Sequence, residues 1–274
     1  AMAAWKRKGG LAQYYDKIVN GMTSRGYQRE FAEAIFEQIK GFSEYGFPES
    51  HAASFALLVY ASCWIKCHHP AEFLAAMLNS QPLGFYSASQ LVQDAKRHGV
   101  ELRRVDVMSS EWDCTLEGLP HPPAVRLGLR LAVGLKAESA LRILKARRER
   151  PVDGAEDLAR RAEIEQHEMT LLAAADALMS LAGHRRQQVW EAAGQRSAPQ
   201  LLKQAPVNEE ELELPAAPEG EEVVWDYAAT GLTLRRHPLA ILRPVLAKQG
   251  WCTAAELHDL PDGRLARACG IVTV

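Results

Sequence analysis

Long apolar runs, a paired cysteine set and a strong net charge are all missing from this sequence. No apolar stretch reaches the ~18 residues a helix needs to cross a bilayer, and the N-terminus lacks the charged-then-apolar layout of a secretion signal. Ala1 ahead of Met2 reads as an addition in front of native sequence, and the expectation is a cytoplasmic protein with no membrane partner. Five cysteines (Cys63, Cys67, Cys114, Cys252, Cys269) form an odd, scattered set, which speaks for reduced thiols and against a disulfide framework. Lysine and arginine number 32 against 34 acidic residues, a net charge of −2. No global basic field marks a nucleic-acid binder, so any such site must be a local patch. Also absent is a constellation for two-metal phosphoryl transfer, which needs paired carboxylates holding ions about 4 Å apart. Glu101 and Asp106 flank a strand, Asp94 lies in a helix, and Glu209 to Glu213 fall in a linker. None stands two residues from another on a strand beside a second acidic strand. No metal site is expected either. Cys63 and Cys67 share a helical face beside His68 and His69, but a closed zinc site needs about four ligands, and they read as packing residues.

What is present is a chain of 274 residues, 47% hydrophobic, enough for roughly two core-forming domains. Leu11, Tyr14, Tyr15, Ile18, Val19 and Met22 recur at helical spacing, with Gly26 as a stop. Phe31, Ile35, Phe36 and Ile39 repeat the pattern up to Gly41. His51 to Asn79 is helical by length, broken at Pro70, and apolar round most of its circumference, as in helices packed inside a larger body. Ser50 reads as its N-cap and His51 as a first-turn residue, more structural than catalytic. SASQLVQDAKRHG is a helix capped by Ser87 or Ser89 and ended by Gly99. VELRRVDV and WDCTLEG alternate as short strands.

LRLAVGLKAESALRILKAR, from Leu129 to Arg147, fits a helix–hairpin–helix pattern with Val133-Gly134-Leu135 at the turn. A divergent second copy spans His167 to Ala192, with Ala174-Ala175-Asp176 at its turn, no glycine there, and a helix restart at Gly183. Such a turn offers backbone N–H groups and a helix N-terminus to a phosphate. The donors here are Val133, Gly134, Leu135 and Lys136. Between Val125 and Arg150 eight basic residues (Arg126, Arg130, Lys136, Arg142, Lys145, Arg147, Arg148, Arg150) face Glu138 and Glu149, a local excess of +6. Sequence-independent phosphate contact follows, with Arg185 and Arg186 doing the same for the second hairpin. Against this stands the plain reading that Arg147 to Arg150 decorate a helix C-terminus. From Ala198 to Val223, seven glutamates, four prolines and Lys203 as the only cation predict a solvated linker. Val223 to Gly250 reads as helical with an interruption at Pro238, and Arg264 to Val274 as one β-strand.

The stretch GFSEYGFPESHAASFALLVYASCWIKCHHPAEFLAAMLNS, residues 41–80, resembles the end of the fingers in C-family bacterial DNA polymerases, the DNA polymerase III alpha subunits, and most closely their error-prone, ImuC-type branch. LTLRRHPLAILRP and DLPDGRLARACGIVTV, near the end of the chain, carry the same resemblance. It implies a mainly α piece: residues 1–86 closing the fingers, 87–196 an αβ connector and tandem helix–hairpin–helix region, 197–222 an acidic linker, and 223–274 a helical lead into the first strand of an OB-fold. It implies a parent DNA-directed DNA polymerase acting in translesion synthesis and damage tolerance. The parent's Mg2+-binding carboxylates would lie in a palm outside this chain, so the piece itself is expected to be inactive and without a cofactor. Its partner would be primer–template DNA, with His51 and Lys66 along the template or nucleotide path. An ImuB-type damage-tolerance protein would be a second partner. QLLKQ, at Gln200 to Gln204, lacks the aromatic end of a clamp-binding peptide, so contact with the sliding clamp would be indirect. The rival reading is a helical interaction scaffold without DNA binding. A small enzyme using His51 and Cys63 lacks the acidic orienter and oxyanion site it would need.

Overall fold

The computed structural model describes residues 14–45, 49–84, 86–118, 122–195 and 212–271. The chain divides into two compact units, residues 1–68 and 69–274. It is mainly helical, with a small sheet in the second unit.

The first unit holds α1 (Tyr15–Thr23), α2 (Arg29–Tyr45) and α3 (Glu49–His68). Gly26 turns the chain between α1 and α2 at φ +89°, in the left-handed region where glycine has no Cβ penalty. Val19, Ala32 and Phe36 form a small core, with Tyr15, Ile18, Met22 and Ile39 packed on it. The Tyr15 ring meets Phe36 edge-on at 5.0 Å, and its hydroxyl donates to Glu33 at 2.9 Å. Two boundaries differ from expectation. α2 continues through Gly41 to Tyr45, because an interior glycine costs only about 1 kcal/mol and does not break a helix. α3 already starts at Glu49, which puts Ser50 inside the first turn and not at the cap. The apolar residues of α3, Leu57, Leu58, Val59 and Tyr60 among them, stay exposed in this chain.

The second unit begins with α4 (Pro70–Asn79), whose first position is Pro70; a proline there removes an N–H that has no helical acceptor anyway. α5 (Ala88–Arg97) is closed by a reciprocal capping box between Ser87 and Gln90, which decides between the two candidate serines. Three strands follow: β1 (Leu102–Arg103), β2 (Thr115–Glu117) and β3 (Ala124–Arg126). Their order is β1-β3-β2, with Leu102 beside Val125 in a parallel pair and Leu116 opposite Val125 in an antiparallel one. β3 was not foreseen. After it the chain passes so close to the β2 edge that a Cβ on Gly128 would stand 2.4 Å from the Trp112 carbonyl oxygen.

Helices α6 (Ala137–Glu149), α7 (Ala155–Arg161), α8 (Gln166–Ala174), α9 (Met179–Ala182) and α10 (Arg185–Gly194) build the hairpin region. Leu78, Val92, Val125, Leu129, Ile143, Leu158, Met169, Leu172 and Leu178 are fully buried in one core running from α4 to α10, each side chain contributing about 1.5–3 kcal/mol. Then come α11 (Glu219–Thr230), α12 (Pro238–Lys248) and α13 (Ala254–His258).

Two expectations for the end of the chain are corrected and one is met. The linker does not reach Glu222: a helix starts at Glu219, where acidic residues suit the helix N-terminus. The rest of the linker up to residue 211 lies outside the described residues. The helical stretch from Val223 is interrupted as expected, between the end of α11 at Thr230 and Pro238, which opens α12; Pro244 sits inside that helix. The strand expected from Arg264 is a single bridge, Ala268 to Cys252, among the described residues up to 271; a lone segment has no ladder to complete.

Candidate nucleic-acid interface

A 3₁₀ turn at Leu129–Leu131 leads through Ala132 and Val133 to Gly134, at φ +87°. A Cβ at Gly134 would also approach the Leu171 side chain to 3.3 Å, so backbone and packing both select glycine. Leu135 is buried, Lys136 is extended, and α6 begins at Ala137 with no side-chain cap. Two of the four expected donors are not available. The Val133 N–H donates to the Ala229 carbonyl at 2.9 Å, and the Leu135 N–H to Ala132 at 3.1 Å. Among the described residues, the N–H groups of Gly134 and Lys136 have no acceptor within the chain. The Lys136 side chain is exposed. An uncapped helix start with a cation on its threshold has the donors and the partial positive charge that receive a phosphate.

Four of the eight cations between Val125 and Arg150 (Arg126, Arg130, Arg142 and Arg147) are held by carboxylates and carbonyls of the chain, so the free basic face is half the size that the count along the sequence suggests. Arg126 grips both carboxylate oxygens of Glu117, at 2.9 and 3.0 Å, and donates to the Arg104 carbonyl at 3.0 Å. Burial opposes the Glu117 charge less than Arg126 favours it, so its pKa sits below the usual carboxylate range. Arg130 ties the Asn79 carbonyl to Asp113, both at 2.7 Å. Arg142 donates to the Ala162 carbonyl at 2.8 Å and pairs with Glu168 at 3.3 Å. Burial raises the Glu168 pKa, but the Ser139 hydroxyl, the Glu165 N–H and the charges of Arg142 and Lys136 together hold it low. Arg147 donates to the carbonyls of Val107 and Ser110 and pairs with Glu111. Lys145 and Arg148 remain 79% and 69% exposed, with long contacts to Glu149 (4.0 Å) and Glu111 (3.4 Å). With Lys136, and with Arg150, whose side chain is 53% exposed and pairs with Asp157 at 3.0 Å, they are the cations of this region that solvent reaches most.

The second hairpin differs from the sequence reading in two ways. Its turn is not Ala174-Ala175-Asp176, although Asp176 takes a left-handed φ of +57° after α8. The counterpart of Gly134 is Gly183, at φ +71°, directly before His184 and α10. Its arginines are not free. Arg185 is 3% exposed and bonds the Glu222 carbonyl, the Glu222 carboxylate at 3.1 Å and Asp226. Arg235 closes the cluster, meeting Asp176 and Glu222 at 2.9 Å each. Arg186 is paired with Glu221 at 2.9 Å. Sequence spacing hid these acids, which arrive on α11. Lys66 is exposed on α3, and the His51 side chain lies outside the described residues. Among the described residues no three His, Cys, Asp or Glu side chains come together to hold a metal, and no helix is long and apolar enough to cross a membrane.

Residues 99–188 match the helix-hairpin-helix motif family, a span that contains both left-handed glycine turns. Over its whole length the chain is homologous to the error-prone DNA polymerases. It is 55% identical over 277 residues to the protein of that name from Bordetella parapertussis and 55% identical over 280 residues to that of Burkholderia pseudomallei, covering 100% of this chain and 26% of each relative. The Methylococcus capsulatus protein is 50% identical over 291 residues, covering 99% of this chain and 28% of the relative. The chain spans about a quarter of the length of these relatives.

Proposed function

We propose that this chain is a non-catalytic segment of an error-prone DNA-directed DNA polymerase that holds primer–template duplex through sequence-independent phosphate contacts during translesion synthesis. The observation that carries the reading is the first hairpin: among the described residues, unpartnered Gly134 and Lys136 N–H groups at an uncapped helix start, with the exposed Lys145 and Arg148 on the helix that follows. The Lys136 ammonium would pair with the same phosphate, and Lys145 and Arg148 would reach further along the backbone. Such contacts position the duplex and read no sequence. Mg2+ would belong to the parent's palm. The donors present here do not fit it, and no step of nucleotidyl transfer runs through this segment. An ImuB-type protein as partner, and indirect access to the sliding clamp, are part of the same proposal.

The test is fluorescence anisotropy on duplexes of unrelated sequence. The chain should bind them with similar affinity, and Gly134→Pro, which cannot hold φ +87°, should lose binding to all of them alike. Binding that tracks sequence, or survives Gly134→Pro unchanged, would overturn the reading.

A further inference from the structure

Both main-chain polar groups of Leu214 are held by α10. Its carbonyl lies 2.7 Å from His184 Nε2, and its N–H donates to Gln187 Oε1 at 3.3 Å. The Gln187 N–H donates to His184 Nδ1, which leaves the imidazole proton on Nε2, pointing at Leu214. One residue on, the Pro215 carbonyl lies 3.4 Å from Arg186, and Glu221 pairs with the same guanidinium. Glu222 and Asp226 then meet buried Arg185. The acidic strap from 212 to 222 is thus captured by its backbone at one end and by its carboxylates at the other.

We propose that the tandem hairpins have divided roles: the first faces phosphate, and the second is a clamp for an acidic segment that enters a helix, filled by the chain's own residues 212–222. Charge complementarity names the occupant. Each cation at the α10 threshold already has a carboxylate of this chain, so a DNA phosphate there would meet Glu221 and Glu222. At the first hairpin, Lys136 is exposed and, among the described residues, forms no ion pair, although its charge acts on Glu168. By holding the strap, the second hairpin fixes the start of α11, whose Ala229 in turn receives the Val133 N–H of the first hairpin. The clamp does not depend on the phosphate reading.

Two measurements on the 274-residue chain decide it. The first is amide exchange at Leu214. It should be slow in the wild type and faster by about fivefold in Gln187→Ala, the loss of one hydrogen bond. Exchange should also quicken in Arg186→Glu and recover when Glu221→Arg is added. The second is duplex binding, which Arg186→Glu should leave within about twofold, whereas Lys136→Glu should weaken it by one phosphate contact's worth of salt dependence. Free-peptide exchange at Leu214 in the wild type would overturn the clamp, as would an Arg186→Glu loss of binding equal to that of Lys136→Glu. A wild type that protects Leu214 yet binds no duplex would leave the clamp standing and remove the phosphate reading alone.

Discussion

The Val133 N–H and the Ala229 carbonyl are 2.9 Å apart, so the tip of the first hairpin is hydrogen-bonded to the last turn of α11. The turn that presents Gly134 is therefore held from outside its own motif. Ala229→Pro would break α11 next to that bond, at a cost of about 3 kcal/mol or more. Urea denaturation should show the loss, and the Val133 amide should exchange faster in the variant.

Arg185 is the larger stake. It is almost fully buried between Asp176, Glu222 and Asp226, and its Nε finds no acceptor among the described residues. Replacing it with methionine would leave buried carboxylates short of one cation, a change that costs about 3–5 kcal/mol when a buried pair loses one partner. The prediction is a large drop in the denaturation midpoint. A near-neutral Arg185→Met would show that Arg235 alone neutralises the cluster.

Two glycines separate close approach from simple freedom. Gly128→Ala drives a Cβ to 2.4 Å from Trp112 O and 2.7 Å from Cys114 N, so backbone must move and the variant should lose on the order of 2–4 kcal/mol. Gly21→Ala in α1 meets nothing within 4 Å and should gain roughly 0.5–1 kcal/mol. Thermal melts of the two variants would move in opposite directions.

The pH response follows from carboxylates held low. Glu117 is lowered by Arg126 and Arg103 against burial, and Glu219 chiefly by its hydrogen bond from Arg236. Their ordinary value is 4.5, and the folded value lies below it. The stabilisation is complete above the ordinary value and is lost as pH falls through the folded one. Stability should therefore hold from neutrality down to about pH 5 and decline below the ordinary carboxylate pKa. Glu117→Gln should flatten part of that decline in denaturation midpoints measured across pH.

Local signals in the sequence were reliable where the physics is local. The Ser87 cap, the Gly26 and Gly134 turns and the restart at Pro70 each depend on a few neighbouring residues, and each is found. The charge pattern misled, because a count along the chain does not show which acids fold back. Arg126 looked available until Glu117 arrived on the neighbouring strand. Arg185 meets Glu222 and Asp226 from 37 and 41 residues away, so Glu222 read as linker and Asp226 as part of a separate helix when both were ion-pair partners. The second turn was displaced for a related reason: Asp176 adopts the left-handed turn after α8, but the glycine that precedes a helix start is Gly183.

The most direct test of the account is the salt dependence of primer–template binding by the wild-type chain and by Lys136→Glu, followed by fluorescence anisotropy. The account predicts a log-linear fall of affinity with salt, with a slope of about 0.9 per phosphate contacted and a shallower slope by about that amount in the variant. Equal slopes, or no binding by the wild type at low salt, would contradict it and leave the chain a helical scaffold whose contacts are with protein.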